Sequence, residues 1–277
     1  MKFDYKLFIS VIILALFGCF MIYSTSNIWA EFKFNNPYKY FINQFVFYII
    51  GIIGMYITSK IDYNLYKKKS NLIILICFIL LVLVLIPGIG VVRNGSRSWF
   101  GLGGFGLQPS EAAKIGLVIF VSKYLSNNYN IMYDIKKGVF PIISVIGVFF
   151  LLIMLEPDFG TAMVITMCLV VMIFISKVKL SFFVKIGVCG LVGIVGLIII
   201  APYRMARIVS FINPWTDPLG SGFQIIQSLY AIGPGGLFGM GIGKSIQKHF
   251  YLPEPQTDFI FSIISEELGF IGVLLVS

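Results

Sequence analysis

This chain cannot bury itself in water. Eight predominantly apolar runs, 7–24, 41–58, 72–91, 110–125, 139–155, 160–176, 184–201 and 259–277, occupy most of its 277 residues. Each is near the roughly 20 residues that carry a helix across the ~30 Å hydrocarbon layer of a bilayer. Lipid offers no partner to a free backbone N–H or C=O, so such runs must be helical. The composition agrees: 58% of residues are hydrophobic and 12% charged, against about 25% charged in soluble domains. The sequence predicts an all-α polytopic membrane protein with eight transmembrane helices, a single domain over 1–277. The fourth run is the least apolar, because it holds Glu111 and Lys114. The first run has the length of a signal-peptide core, and LFGC at 16–19 faintly resembles a lipoprotein cleavage box. Seven further runs follow without a soluble domain, so it is read as a retained helix.

Lys and Arg mark the cytoplasmic ends of membrane helices. Lys2 and Lys6 precede the first run, and Lys67, Lys68 and Lys69 lie between the second and third. Lys123, Lys136 and Lys137 surround the connection from the fourth to the fifth, and Lys177, Lys179 and Lys185 that from the sixth to the seventh. Every even-numbered crossing ends on a basic stretch, which predicts a cytoplasmic amino terminus. The net charge of +9 then points to anionic lipid headgroups or an anionic lipid-linked substrate. Nucleic acid is excluded as a partner, since no soluble module exists to present a basic face. On the outer side, Lys33, Lys39, Arg93, Arg97, Arg204, Arg207, Lys244 and Lys248 exceed what the rule allows. Long loops obey it weakly, which accounts equally well for the lysines. The arginines come as close pairs, and a guanidinium grips phosphate oxygens.

The longest stretch between runs is 203–258, an extracellular loop in this topology, with NPWTDPLGSG, GPGGLFGMGIGKS and LPEPQTD inside it. A loop of that length in a compact protein usually carries function. FQIIQSLYAI within it predicts a short amphipathic helix at the membrane surface. GMGIGKS lacks the spacing of a nucleotide-binding P-loop and reads as a Gly-rich turn. Cys19, Cys77, Cys168 and Cys189 all fall in apolar runs, without a CxxC pair, and read as small core residues. The lone His249 builds no metal site, and no metal ligand is assigned.

Several carboxylates stand out. Glu111 and Lys114 share a helix face; Ser110 is a candidate cap there, and the pair is either a structural ion pair or faces substrate. In EPDFGT, Pro157 and Gly160 predict a tight turn; Asp158 either caps the sixth helix or binds a cation, while Glu156 reads as an interfacial polar residue. Glu266 and Glu267 lie roughly 12–14 Å into the eighth run at 1.5 Å per residue. Adjacent residues point about 100° apart, so one environment cannot serve both, and Lys114 is a conceivable partner. Asp258 has no Lys or Arg within eight positions on either side. It stands where a polar loop becomes an apolar helix. Thr257 or Asp258 could cap that helix; alternatively, a carboxylate wet on one side and walled by apolar surface on the other is a good proton acceptor.

Four segments, NGSRSWFGLGGFGLQPSEAAK (94–114), EPDFGTA (156–162), NPWTDPLGSGFQIIQSLYAIGPGGLFGMGIGKS (213–245) and LPEPQTDFIFSIISEELGFIG (252–272), resemble the SEDS family of FtsW, RodA and SpoVE, along the whole chain and in order. NGSRSW and YLPEPQTDFIF look closer to the FtsW and SpoVE branch. The resemblance implies a multi-pass protein of the bacterial cytoplasmic membrane, a peptidoglycan glycosyltransferase that polymerises lipid II, the undecaprenyl-diphosphate disaccharide-pentapeptide, beside a class B penicillin-binding protein, in division or sporulation. It maps the family's essential acidic residue onto Asp258, and its charged pair onto Glu111 and Lys114. Trp99, Arg204 and Arg207 fall at family motif positions near the outer cavity; Arg97, Gln227, Lys244 and Thr257 are further substrate-binding candidates. No cofactor is required; a divalent cation, Mg or Mn, is compatible with a diphosphate leaving group. Members have about ten spans, so a chain ending at Ser277 is expected to be a C-terminally truncated member. A lipid II flippase using Glu266, Glu267 and Lys114, or a non-catalytic scaffold for the penicillin-binding protein, are the alternatives.

Overall fold

The computed structural model describes residues 4–93, 95–102, 105–200 and 202–277. Each of the eight expected runs contains a helix. The chain divides into two compact units, Met1–Lys60 with Ile194–Ser277, and Ile61–Gly193.

The Ile61–Gly193 unit holds α3 (Tyr63–Leu85), α4 (Pro109–Asn128), α5 (Phe140–Leu155), α6 (Phe159–Phe174) and most of α7 (Leu180–Ile200). The third helix lies earlier than its apolar run, because Asp62 caps it through the Asn64 amide and Pro87 stands just beyond its end. The all-α expectation is corrected between α3 and α4. A three-stranded antiparallel sheet forms there from β1 (Gly90–Arg93), β2 (Ser96–Leu102) and β3 (Phe105–Leu107), in that order. Arg93 faces Ser96 across β1 and β2. In the sequence, Asn94 and Gly95 separate the two strands, the pairing most typical of a two-residue hairpin turn. Hydropathy sums hid this signal because the flanking Val, Trp and Phe are apolar in any conformation.

The core of this unit follows helical periodicity. Ile142, Ile146, Phe149 and Ile153 of α5 and Ala162, Ile165, Leu169 and Ile173 of α6 are buried together with Leu81, Leu117 and Val121. These are stripes at i, i+4, i+7 on α5 and i, i+3, i+7 on α6. The opposite faces are equally apolar, yet Val148, Leu151, Val164, Met167 and Val171 are exposed. Apolar residues outside as well as inside are what a lipid solvent permits. Cys168 and Cys189 lie on such outer faces, correcting their reading as core residues; Cys19 and Cys77 are buried as expected.

The other unit begins with α1 (Tyr5–Phe34), whose start Asp4 caps by accepting from the Lys6 and Leu7 amides, followed by α2 (Lys39–Ser59). After α7 come α8 (Pro202–Ile212), a single 3-10 turn (Pro214–Thr216), α9 (Phe223–Gly235) and α10 (Ile260–Val276). The first part of the long 203–258 segment is therefore helical, and α9 matches the expected FQIIQSLYAI helix. α10 packs against α9 and α1.

Among the described residues, four segments are long and apolar enough to cross a membrane: α1, α2, α3 and Ile135–Leu155, which runs through a π-helical turn into α5. α6 is apolar but has 16 residues, about 24 Å at 1.5 Å per residue, short of a ~30 Å core.

Candidate functional site

The site begins with an interruption in α10. Gly269 sits inside this helix with φ 66° and ψ −166°, which is not helical. In an unbroken helix the amides of Phe270 and Ile271 would donate to the carbonyls of Glu266 and Glu267. Here they donate to the carbonyls of Gly236 and Leu237, at 2.9 and 3.1 Å. The freed Glu266 and Glu267 carbonyls accept instead from Met240 and Gly241, at 2.9 and 3.0 Å. The 236–241 segment thus completes the broken ladder from both sides. Buried backbone groups require such partners, and inside a membrane only protein can supply them.

The two glutamate side chains point into the same region by different routes. Glu266 accepts from the Ser245 hydroxyl at 2.6 Å and the Ile246 amide at 2.8 Å. The Lys248 amide donates to Ser245 Oγ at 3.3 Å, so that hydroxyl is left to donate to the carboxylate. Glu267 accepts from Ser24 Oγ on α1, at 3.0 and 2.7 Å to its two oxygens, and from Lys248 Nζ at 3.0 Å. Glu266, Glu267 and Lys248 are all buried. The expectation that one environment cannot serve both carboxylates is met by two separate partner sets. The proposed Lys114 partner is corrected: Lys114 is held by Glu111, at 2.9 Å. Lys248 and Ser24 were missed. Two adjacent carboxylates in an apolar run were the signal, since they call for a cation close by, and Lys244 and Lys248 are the lysines nearest upstream. Lys244 turns out to be exposed.

Lys248 lies in the segment leading to Asp258. Phe250 packs its ring on Trp29 and Phe32 of α1, with centroids 5.3 and 5.4 Å away. Leu252, Pro255 and Gln256 are buried. Thr257 donates its hydroxyl to the Glu254 carbonyl at 3.2 Å. α10 then starts at Ile260, with Phe259 at the cap position and no side-chain cap bond. Neither Thr257 nor Asp258 caps the helix, which removes the purely structural role the sequence allowed them. Asp258 is exposed, and its carboxylate has no hydrogen bond or ion pair among the described residues. Of the other candidates in this unit, Arg207 is exposed on α8, Gln227 is half-buried on α9, and Lys244 is exposed in the Gly-rich turn. The Arg204 side chain lies outside the described residues. Nearby, Asp217 has its carboxyl held below the usual range, chiefly by the Ser221 amide and hydroxyl.

The second set of candidates belongs to the Ile61–Gly193 unit. Strand alternation puts Arg97 and Trp99 on one face of β2 and Ser96 and Ser98 on the other. Arg97 Nε is buried without a hydrogen-bond partner, and Trp99 is half-buried. The side chain of Arg93 lies outside the described residues. The Ser96 hydroxyl donates to the Glu156 carbonyl. Asp158 caps α6 through the Thr161 amide at 3.1 Å and accepts from Gln108 Nε2 at 2.9 Å. Glu156 is fully buried, and neither carboxylate oxygen has a hydrogen-bond partner. Burial, with the Asp158 charge adding to it, pushes its carboxyl up to about 8. Ser110, expected as the cap of α4, is corrected: Gln108 holds the cap position without a side-chain bond, and Ser110 Oγ is buried and unpartnered. Glu111 and Lys114 form an exposed ion pair. No group of three or more His, Cys, Asp or Glu able to hold a metal occurs among the described residues.

The chain is similar to several known proteins. A family model described as a cell cycle protein, covering FtsW, RodA and SpoVE, matches residues 5–277. Stage V sporulation protein E of Bacillus subtilis (strain 168) is 51% identical over 273 residues, covering 99% of this chain and 75% of that protein. A probable peptidoglycan glycosyltransferase FtsW of Geobacter sp. (strain M18) is 39% identical over 275 residues, with 99% and 75% covered. Among solved structures, a chain of a peptidoglycan synthase complex that coordinates polymerization and crosslinking superposes with a TM-score of 0.73 at 26% identity, covering 100% of this chain and 74% of that one. The rod shape determining protein RodA of Thermus thermophilus shares the fold, with a TM-score of 0.61 at 22% identity over 100% of this chain and 71% of that one. Matched along its length in this way, the chain belongs to the FtsW/RodA/SpoVE family, the SEDS proteins.

Proposed function

We propose that this chain is a peptidoglycan glycosyltransferase that polymerises lipid II at the outer face of the bacterial cytoplasmic membrane, beside a class B penicillin-binding protein. Its amino terminus is cytoplasmic, it crosses the bilayer eight times, and 203–258 lies outside. Relatives named as glycosyltransferases support the activity, and the synthase complex supports a partnered enzyme.

Asp258 is the base. The acceptor sugar hydroxyl attacks the anomeric carbon of the donor, and the Asp258 carboxylate takes the hydroxyl proton as the bond forms. The lipid diphosphate departs from the opposite face, so an α-linked donor becomes a β-linked polymer in one inverting displacement. A diphosphate is a good leaving group and needs little acid help, so one carboxylate suffices where glycosidases use two. Arg204, Arg207 and Lys244 stabilise the developing diphosphate charge, with Gln227 and Thr257 lining the substrate path. In the Ile61–Gly193 unit, Arg97 and Trp99 are further substrate-binding candidates and Asp158 a secondary acidic site.

The observation that carries this reading is the exposed carboxylate of Asp258, free of any capping duty, at the head of an interrupted helix. The flippase alternative loses its support, since Glu266 and Glu267 are buried and fully partnered while Lys114 is taken by Glu111. The test is glycan-strand synthesis by purified protein with lipid II and a class B penicillin-binding protein. Wild type is expected to make polymer; an Asp258→Ala protein that polymerises at the wild-type rate would remove the assignment.

A further inference from the structure

The residue that carries the proposed chemistry has no bond of its own to hold it. Asp258 is exposed and without side-chain partners among the described residues, and it lies one residue before the end of a segment, 236–259, with no helix or strand in it. Yet proton transfer demands that a base stand within hydrogen-bond reach of the hydroxyl. Something must fix the segment.

The charged fixing point is a pair of side chains. Lys248 and Glu267 are 3.0 Å apart, exposed by 3% and 0%. Glu267 belongs to α10, Lys248 to the segment, and Ser24 of α1 binds both Glu267 oxygens. One carboxylate therefore ties three elements together. Around it, Glu266 holds Ser245 and Ile246, and Phe250 seats on Trp29 and Phe32. Beyond Lys248, the Leu252 amide donates to the Gln247 carbonyl at 3.0 Å, and Leu252 and Gln256 are buried. Closer to Asp258, Pro255 is buried and the Thr257 amide donates to the Glu254 carbonyl at 3.2 Å. Removing either charge would leave the other buried and unpaired, which is the costly case; replacing both with apolar groups of similar volume is far better tolerated.

We propose that Lys248 is a positioning residue for the transferase reaction, its buried pair with Glu267 and Ser24 pinning the segment that presents Asp258. The inference rests on the reading of Asp258 as the base. Lys248 itself does not touch substrate: it is enclosed, and its ammonium is engaged by Glu267.

The test compares Lys248→Met, Ser24→Ala and Lys248→Met/Glu267→Met, each assembled with a class B penicillin-binding protein. Three quantities are measured: polymerisation per folded molecule, the KM for lipid II, and hydrogen exchange of amides 236–259. Lys248→Met is expected to lower kcat on the order of 10²-fold, the scale of a small misplacement of a reacting group, with KM little changed and amide protection lost. Ser24→Ala, which leaves the ion pair in place, is expected to lower kcat about tenfold, the scale of a hydrogen bond to a charged group. It carries the comparison alone if Lys248→Met does not fold. The double variant is expected to regain protection and turnover together. Turnover that stays high while protection is lost, turnover lost while protection is kept, or no change in either quantity overturns the proposal. Asp258→Ala separates the two readings. Full activity there sinks the base assignment, while the amide protection still reports whether Lys248 pins the segment.

Discussion

Gly239 lies against the carbonyl oxygen of Glu267 so closely that no β-carbon fits between them. The contact lets the 236–241 segment slot into the gap that Gly269 opens in α10. Gly239 also has a φ of +77°, which side chains other than glycine's avoid. Two separate penalties therefore fall on the same substitution. Gly239→Ala is expected to destabilise the protein by about 2–4 kcal/mol, as overpacking and backbone strain combine, and thermal unfolding in detergent measures it. A melting temperature equal to wild type would mean that the segment does not insert as described.

Glu156 gives a pH prediction. Its carboxyl is pushed from 4.5 to about 8 in the folded protein, by burial and then by Asp158. Between these values the unfolded chain releases the proton while the folded chain keeps it. Stability therefore falls as pH rises from about 4.5 towards about 8, and levels off above. Glu156→Gln removes the titrating group while keeping its shape. The variant should melt higher than wild type at neutral pH, and this part of the pH slope should vanish. A slope unchanged in the variant would show that Glu156 is solvated or partnered.

Asp258→Asn keeps the size of the side chain and removes its basicity. Polymerisation is expected to fall 10²–10⁴-fold, the range for loss of a general base. Because the Asp258 side chain makes no bond among the described residues and does not cap α10, the melting temperature should hold within a degree or two. A large fall in stability would instead assign Asp258 a structural duty.

Topology can be read by thiol labelling in a protein whose four cysteines have been replaced. Ser221→Cys, in an exposed turn before α9, should react with a membrane-impermeant maleimide applied from outside. Lys68→Cys, exposed near the start of α3, should react only after the membrane is opened. The reverse pattern would invert the proposed orientation.

Local information carried the helices. Lipid demands an apolar run wherever a chain crosses it, and such runs are contiguous, so the helices in all eight runs were legible without a fold. Asp62 capping α3 and Asp158 capping α6 are local too, because a cap bonds an amide two or three residues away. The Asn-Gly dipeptide in the sequence between β1 and β2 was an equally local signal, overshadowed by hydropathy.

What the sequence settled by itself was therefore the apolar character of the chain and the helices in its eight runs. What only the tertiary structure decided was the centre of the site: the break at Gly269, the burial of both Glu266 and Glu267, the choice of Lys248 over Lys114 as partner, and the release of Asp258 from capping. The physical reason is that each of these depends on groups distant in sequence. A helix can be interrupted only where another segment supplies its missing hydrogen bonds, and a carboxylate can be buried only where a particular cation reaches it. Periodicity along a chain says which way a side chain points, but not what it meets there.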